Sequence, residues 1–306
     1  MRDDLVMLLV YGKFIDYATI IDLATSLSLD EKIEVSHKVI EEALRVSKFL
    51  FKKSVVSLGF SGGKSSLVTL DLILQHVPKD EVIVYFCNTL NELPYTREYV
   101  IKTTKEFFGV RKLVEILPRF TPWRLWRMFG FPRESRDRFY TPICCVLLKE
   151  LPVKIIIERY QVTLDVVGIQ ALESRPRLRM VSNAGLVKKT KYIGTSVVLN
   201  RPIVRSTPIG IWLDEDVWEY IRRRQLPVNP AYTKYGIRRQ GCMCCTNSKV
   251  WHEYIGKINA KMLMFVEQKI KEWGIQSERI KLRDALERLC MSKNPEAFYI
   301  VREHFS

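Results

Sequence analysis

Apolar side chains recur along this chain in two alternating rhythms. Short, β-branched runs at Val55–Gly59, Val82–Cys87, Lys112–Leu117 and Leu164–Gly168 read as buried strands. Between them, Lys64–His76, Pro94–Phe108 and Cys144–Tyr160 carry apolar residues at the three-to-four spacing of an amphipathic helix. The alternation predicts an α/β fold: a parallel twisted sheet with helices on both faces and a ligand at the carboxyl ends of the strands. The first fifty residues read as two or three amphipathic helices. The clearest runs from Leu29 to Phe51, with Ile33, Val35, Val39, Ile40, Ala43, Leu44 and Val46 on one face. From Lys249 through Phe305 the pattern reads helical again. The expected organisation is an N-terminal helical segment (1–50), a nucleotide-binding α/β domain (51–247) and a C-terminal helical appendage (248–306). Asp214 is expected to cap a helix over Glu215–Arg224.

At the first strand-to-helix junction stands Ser61-Gly62-Gly63-Lys64-Ser65-Ser66. A glycine pair there lets the backbone turn tightly and aim several free N–H groups at one point. The helix N-terminus adds positive potential, and Lys64 with the hydroxyls of Ser61, Ser65 and Ser66 adds donors, so the junction suits phosphate. Gly63-Lys64-Ser65 is shared with the P-loop nucleotide triphosphatases, but that motif needs a glycine where this chain has Leu58.

Seven cysteines are present, and five fall into two clusters, Cys144-Cys145 and Cys242-Met243-Cys244-Cys245. If the fold unites them, Cys144, Cys145, Cys242 and Cys245 offer four thiolates, enough for a [4Fe–4S] cluster or a zinc ion. Adjacent cysteines reach two corners of a cubane more comfortably than two vertices of one small tetrahedron, which favours iron–sulfur over zinc. Buried apolar packing or disulfides stay open. Cys244 is left over as packing or as a sulfur carrier, and Cys290 reads as a core residue of an amphipathic helix.

The 306 residues carry a net charge of +15, which asks for an anionic partner. Basic residues concentrate in Arg119–Arg138, interleaved with Trp123, Trp126, Phe129, Phe131 and Phe139, and again at Lys188-Lys189-Thr190-Lys191, Arg222-Arg223-Arg224 and Arg238-Arg239. Cations alternating with aromatics suit a backbone-and-stacking surface for nucleic acid, although charge runs also serve as solvated faces. Asp3 and Asp4 precede an apolar run that stops at Gly12-Lys13, so no signal peptide is expected, and no run is long enough to span a membrane. Clustered thiols without a secretion signal fit a cytoplasmic protein.

From about residue 50 to residue 250 the chain resembles the PAPS reductase-like, cluster-bearing branch of the PP-loop ATP pyrophosphatases, a superfamily that cleaves ATP between its α and β phosphates. The matches fall in order. They are the Ser-Gly-Gly loop; the strand end Asn88-Thr89 followed by Pro94-Tyr95-Thr96; Cys144-Cys145 with Leu148-Lys149 and Pro152; Gly168-Ile169-Gln170 through Glu173-Ser174-Arg175-Pro176-Arg177; Leu226-Pro227-Val228-Asn229-Pro230-Ala231-Tyr232; and Arg238-Arg239-Gln240-Gly241-Cys242. The resemblance implies an adenine nucleotide alpha-hydrolase-like sheet with ATP and Mg²⁺. Ser61, Gly62, Gly63, Lys64, Ser65 and Ser66 would hold the β and γ phosphates; Lys149, Arg175 and Arg177 would neutralise charge; Phe86, Asn88 and Thr89 would line the adenine side; Cys144, Cys145, Cys242 and Cys245 would hold the cluster. Three positions depart from the family pattern. Ser65 and Asn88 lack carboxylates that would help Mg²⁺, leaving Glu92 and Glu173 as candidates, and Gln170 stands where an arginine is common.

The chain's end shows no Glu-Cys-Gly-x-His tail of the kind whose cysteine attacks adenylyl sulfates, while its phosphate loop is nearly intact. Both features favour ATP cleavage: adenylation of an acceptor and sulfur transfer, onto nucleic acid as in tRNA thiolation or DNA phosphorothioation, with a sulfur-donor protein such as a cysteine desulfurase. Oligomerisation is left open. The alternatives are adenylyl-sulfate or PAPS reduction in sulfate assimilation, and a non-catalytic nucleic-acid-binding protein with a vestigial nucleotide site.

Overall fold

The computed structural model describes residues 7–10, 14–133, 136–137, 141–194, 196–248, 251–273 and 279–305. Two helices lead in, α1 (Tyr17–Ser26) and α2 (Leu29–Phe51). Asp16 caps α1 by accepting from Thr19 N at 2.8 Å. Ser28 and Glu31 cap α2 reciprocally, each side chain accepting from the other's backbone N–H. α2 stops where Lys52 turns left-handed, at φ +59°.

Strand and helix then alternate as the hydrophobic rhythm predicts: β1 (Val56–Gly59), α3 (Lys64–Ile73), β2 (Ile83–Cys87), α4 (Thr96–Lys102), β3 (Lys112–Pro118), α5 (Pro122–Phe129), α6 (Ile143–Cys145), α7 (Leu151–Arg159), β4 (Leu164–Val166) and α8 (Arg175–Ala184). A π-helical turn, Val146–Glu150, joins α6 to α7, where Pro152 supplies no N–H to an α-helical ladder. Two strands follow, β5 (Val187–Ile193) and β6 (Val197–Ser206), then α9 (Asp214–Arg223), α10 (Pro230–Tyr235), α11 (Trp251–Ile258), α12 (Ala260–Trp273), α13 (Leu282–Arg288) and β7 (Tyr299–Phe305).

The seven strands form one sheet in the order β5-β6-β4-β1-β2-β3-β7. β6, β4, β1, β2 and β3 run parallel, and an antiparallel strand closes each edge. From β1 the chain builds outward through β2 and β3, then returns to place β4 on the opposite side of β1. That reversal opens a crevice beyond the carboxyl ends of β1 and β4, the place where open α/β sheets take ligands.

One core, on the α2–α3–α9 face, joins Ile20, Val35 and Val39 of the leading helices to Leu58, Leu67, Val84 and Val217. The N-terminal segment thus shares the core of the α/β domain, and Lys32, 2 % exposed, pins it to Asp216 at 2.6 Å. The opposite face packs α5, α7 and the C-terminal helices over Ile83, Tyr85, Val114 and Ile116. Among the described residues, no helix is long and apolar enough to cross a membrane.

Two expectations are corrected, and one basic stretch is placed in the fold. The final segment is a strand rather than a helix: Tyr299–Phe305 pairs along the whole of β3, and this long-range partner overrides local pattern. Lys188-Lys189-Thr190-Lys191, read only as a basic cluster, belongs to the hairpin β5–β6. Asp214 is the first residue of α9 rather than its cap; the Asp216 carboxylate accepts from Leu213 N at 2.6 Å and leaves Asp214 free to turn elsewhere.

Candidate functional site

β1 enters the crevice through Phe60-Ser61-Gly62-Gly63 and turns into α3. Gly62 holds φ +78°, and a Cβ there would stand 3.0 Å from Thr96 Cγ2, so both backbone and space demand glycine. Gly63 is the N-cap of α3 and brings no side chain to its first amides. From β4, Gly168 rests directly on the same turn; a Cβ would lie 2.7 Å from Ser65 O. Ser66 Oγ donates to Gly63 O at 2.9 Å and lies 3.3 Å from Ser61 Oγ.

Two of the departures from the family pattern meet here. Ser65 Oγ donates to Gln170 Oε1 at 2.8 Å, and Gln170, 3 % exposed, donates onward to Trp212 O at 3.2 Å. The positions at which the resemblance expects an aspartate and an arginine are therefore in contact, and here they exchange a neutral hydrogen bond for opposite charges.

Lys64 is 6 % exposed. Its ammonium lies 2.9 Å from Asp214 Oδ1, donates to Arg238 O at 2.9 Å, and stands 5.6 Å from the ring centres of Trp218 and Tyr232. Its backbone N–H donates to the Tyr232 hydroxyl at 3.1 Å. Asn229 Nδ2 donates to Gly62 O and to Thr96 Oγ1, both at 3.2 Å. Tyr232, Asn229 and Gly168 had no assigned chemical role in the sequence, and Asp214 was expected only as a helix cap. The signal for them was slight: Asn229 and Tyr232 lie in a family-like stretch that carries no chemistry of its own.

On the proposed adenine side, the Phe86 ring belongs to the main core. Asn88 Nδ2 donates to Glu115 Oε1 at 2.7 Å, and Thr89 Oγ1 donates to Glu92 Oε1 at 2.8 Å. Burial raises the Glu92 carboxyl against the lowering pull of Lys149 and Thr89. Glu173 is bracketed by two cations, paired with Arg177 and with Arg239 Nε at 2.7 Å. Burial, then the neighbouring Arg239, brings the Arg177 guanidinium down to about 10, whereas Arg175 is exposed.

The structure brings the four candidate thiols together. Cys144, Cys145, Cys242 and Cys245 line one small cavity of about 30 Å³, with Thr89, Trp126 and Lys149 among its other walls. Thr89 Oγ1 is 3.7 Å from Cys242 Sγ, so the strand end proposed for adenine borders the thiols. Burial pushes the Cys242 thiol up to about 11 and raises Cys245; a hydrogen bond with Cys145, then burial, raises Cys144. The charges of Cys242, Cys145, Glu92 and Cys245 together hold the Lys149 ammonium well above its ordinary value against its desolvation. Among the described residues, no three His, Cys, Asp or Glu side chains converge tightly enough for a single metal ion. Four soft donors around one small cavity, with one ammonium in the wall, are a donor set of the kind that takes a soft metal or an anionic cluster.

The other cysteines separate cleanly. Cys244 is 1 % exposed, with burial pushing its thiol up to about 12. Cys87, behind the cavity, donates weakly to Lys149 O at 3.8 Å and is likewise pushed up to about 12 by burial. Cys290 is exposed just beyond α13, not in the core.

The basic, aromatic stretch is also corrected. Trp126, Phe129 and Phe131 are buried, and Trp123 meets Trp126, Phe131, Phe265 and Trp273 edge-on. These rings seat the C-terminal helices instead of offering bases a stacking surface; Arg138 and Phe139 lie outside the described residues. Arg222, Arg223 and Arg224 pair with Glu219, Asp30 and Asp71. Lys189, Lys191 and Arg238 remain exposed.

A phosphoadenosine phosphosulfate reductase domain matches residues 55–248. An uncharacterized protein of Methanocaldococcus jannaschii is 32% identical over 194 residues, 63% of this chain and 36% of that protein, so the match spans about a third of its length. The adenosine 5'-phosphosulfate reductase of Halalkalibacterium halodurans is 26% identical over 229 residues, 71% of this chain and 89% of that one. The same enzyme of Geobacillus kaustophilus is 27% identical over 186 residues, 61% and 70%. Among solved structures, the phosphoadenylyl-sulfate reductase of Candida auris aligns at TM-score 0.47 and 19% identity over 71% of this chain and 96% of that chain. The U34-tRNA thiolase NcsA of Methanococcus maripaludis with its [4Fe-4S] cluster aligns at 0.41 and 13%, over 83% and 89%. Both likenesses are loose and decide nothing about the reaction. With more than half of its residues in the matched domain, this chain belongs to the phosphoadenosine phosphosulfate reductase domain family of the PP-loop superfamily.

Proposed function

We propose that this protein binds ATP with Mg²⁺ in the crevice over β1 and β4, adenylates an oxygen of an acceptor, and supports replacement of that oxygen by sulfur. The observation that carries the reading is the Gly62-Gly63-Lys64 turn, which aims a helix N-terminus and a buried ammonium at one point of the crevice. In the adenylation, an acceptor oxygen forms a bond to the α-phosphorus while the bond to the α,β-bridging oxygen breaks. Diphosphate leaves with the electron pair, and the acceptor's proton passes to solvent. Lys64, Ser61 and the loop amides stabilise the charge that gathers on the departing diphosphate. Arg177 and Arg239 flank Glu173 at the rim and add positive potential. A [4Fe–4S] cluster on Cys144, Cys145, Cys242 and Cys245 would supply sulfur-handling or redox chemistry beside that centre, with Lys149 offsetting its negative charge. A persulfide-bearing donor, such as a cysteine desulfurase, would provide the sulfur: its outer sulfur would bond to the acceptor as the activated oxygen leaves with AMP, and a thiol reductant would then cleave the remaining S–S bond. The excess of exposed cations favours a nucleic acid, tRNA or DNA, as acceptor.

A second reading is reduction of adenylyl sulfate, favoured by the named activity of curated relatives. It needs a nucleophilic thiol, and within this sequence only Cys290 is exposed among the cysteines. Anaerobic protein supplied with Mg²⁺-ATP, and separately with adenylyl sulfate and a thiol reductant, separates the two. Diphosphate from ATP supports adenylation; sulfite from adenylyl sulfate replaces it with reduction. Salt-sensitive nucleic-acid binding without either product would leave a binding protein with an inactive site.

A further inference from the structure

The donors that make the loop a phosphate site are already engaged by another part of the same chain. The Tyr232 hydroxyl accepts from Lys64 N, at 3.1 Å. Arg238 O and Asp214 hold the Lys64 ammonium. Asn229 and Gln240 both donate to Thr96 Oγ1, at 3.2 and 2.7 Å, and Arg239 clamps Glu173. The segment from Asn229 to Gln240 thus lies across the loop, tied by the side chains of Asn229, Tyr232, Arg239 and Gln240 and by the Arg238 carbonyl.

Its downstream end runs straight into the thiol cavity. Two residues past Gln240 is Cys242, bridged to Glu92 in a single antiparallel pair and lining the cavity. Two glycines in the segment are uncrowded: Gly236, at φ +58°, and Gly241 would each place a Cβ in open space. One buried acceptor is unsatisfied in this arrangement, Gln240 Oε1. A buried polar atom without a partner favours any rearrangement that gives it one.

Resting on the assignment of the loop to phosphates, we propose that Asn229–Cys242 is a strap that competes with the nucleotide's diphosphate for Lys64 and reports the outcome at Cys242, with Tyr232 as its positioning residue. A diphosphate oxygen that takes the Lys64 N–H displaces the Tyr232 hydroxyl; one that takes the ammonium displaces Arg238 O. The strap then turns about Gly236 and Gly241 and loosens the Cys242–Glu92 bridge. The coupling is reciprocal, so a strap held down weakens diphosphate binding by the same factor by which diphosphate loosens the strap.

The probe is inorganic diphosphate, which reads binding without turnover, and the readout is amide hydrogen exchange in the protein as purified. Saturating diphosphate should raise exchange in residues 238–245 by at least about threefold, leaving β1 and β2 unchanged. Tyr232→Phe should show the raised exchange without diphosphate and bind diphosphate more tightly than the unaltered protein. Arg239→Gln, which releases the strap at its other tie, should also raise basal exchange, and serves if the Tyr232 variant does not fold. Diphosphate that binds while exchange stays flat overturns the strap and leaves the loop assignment standing. Failure of diphosphate to bind overturns both. Variants that exchange as the unaltered protein does also overturn the strap.

Discussion

The phosphate loop and the thiol cavity lie side by side and are built on opposite principles. Ser61 to Ser66 is one continuous turn, rich in donors, whose backbone is set by a local strand-to-helix junction. The cavity draws its thiols from two segments about a hundred residues apart, and its chemistry comes from dryness: burial keeps Cys242 and Cys245 protonated well above neutral pH in the absence of metal. The loop's donors need no change of protonation, only release from their partners within the chain, whereas the cavity must lose protons before it can ligate. Lys149 stands in the cavity wall, and the 229–242 strap touches both regions.

That contrast can be broken at its strongest point by Cys145→Ala. Anaerobically purified protein should lose essentially all iron and visible absorbance, while ATP affinity changes by less than about threefold, because no loop donor is touched. Zinc in place of iron in the unaltered protein would undo the cluster assignment. Loading should also fall as pH drops, since the raised thiols must be deprotonated to bind metal.

Next in size is Lys64→Ala. Diphosphate release should fall by about a hundredfold or more, with iron content unchanged. Unaltered release would remove Lys64 from the chemistry.

A smaller effect sharpens the loop itself. Ser65→Asp alone puts a carboxylate against the buried Gln170 amide and should weaken ATP binding. Adding Gln170→Arg should recover it, with a coupling energy of about 1–2 kcal/mol in a double-mutant cycle. Strictly additive effects would mean that the two departures from the family pattern are independent.

The smallest effect lies at the edge of the sheet. Glu115 is 1 % exposed; burial raises its carboxyl, but hydrogen bonds from Arg97 and Asn88 outweigh this and hold it below the ordinary value. A carboxylate lowered by folding contributes stability above its unfolded pKa and loses it as pH falls through the folded one. Urea midpoints should therefore drop between about pH 5 and pH 3, and less so in Glu115→Gln. Equal slopes for the two proteins would show that the contribution comes from other groups.

The parts legible in the sequence were those written locally. Alternating strand and helix patterns located β1 to β4 within a residue or two, and the glycine pair located the loop. The four thiols were legible as spacing, though not as a cavity. What stayed hidden depended on distant partners. Tyr299–Phe305 becomes a strand only because β3 offers a free edge, and Asp214 became a Lys64 partner once Asp216 had taken the α9 amide. The basic, aromatic stretch misled for another reason: Trp126 and Phe131 alternate with arginines equally well on a surface or over a core, and only the packing of α12 distinguishes the two.

The most direct test is a structure of the protein with a non-hydrolysable ATP analogue and Mg²⁺. The β and γ phosphates should lie on the Gly62 and Gly63 amides and on Lys64, with the α-phosphorus facing the side of the crevice that Thr89 shares with the thiols, and Tyr232 displaced from Lys64 N. A nucleotide bound elsewhere, with Tyr232 still on Lys64 N, would contradict the account.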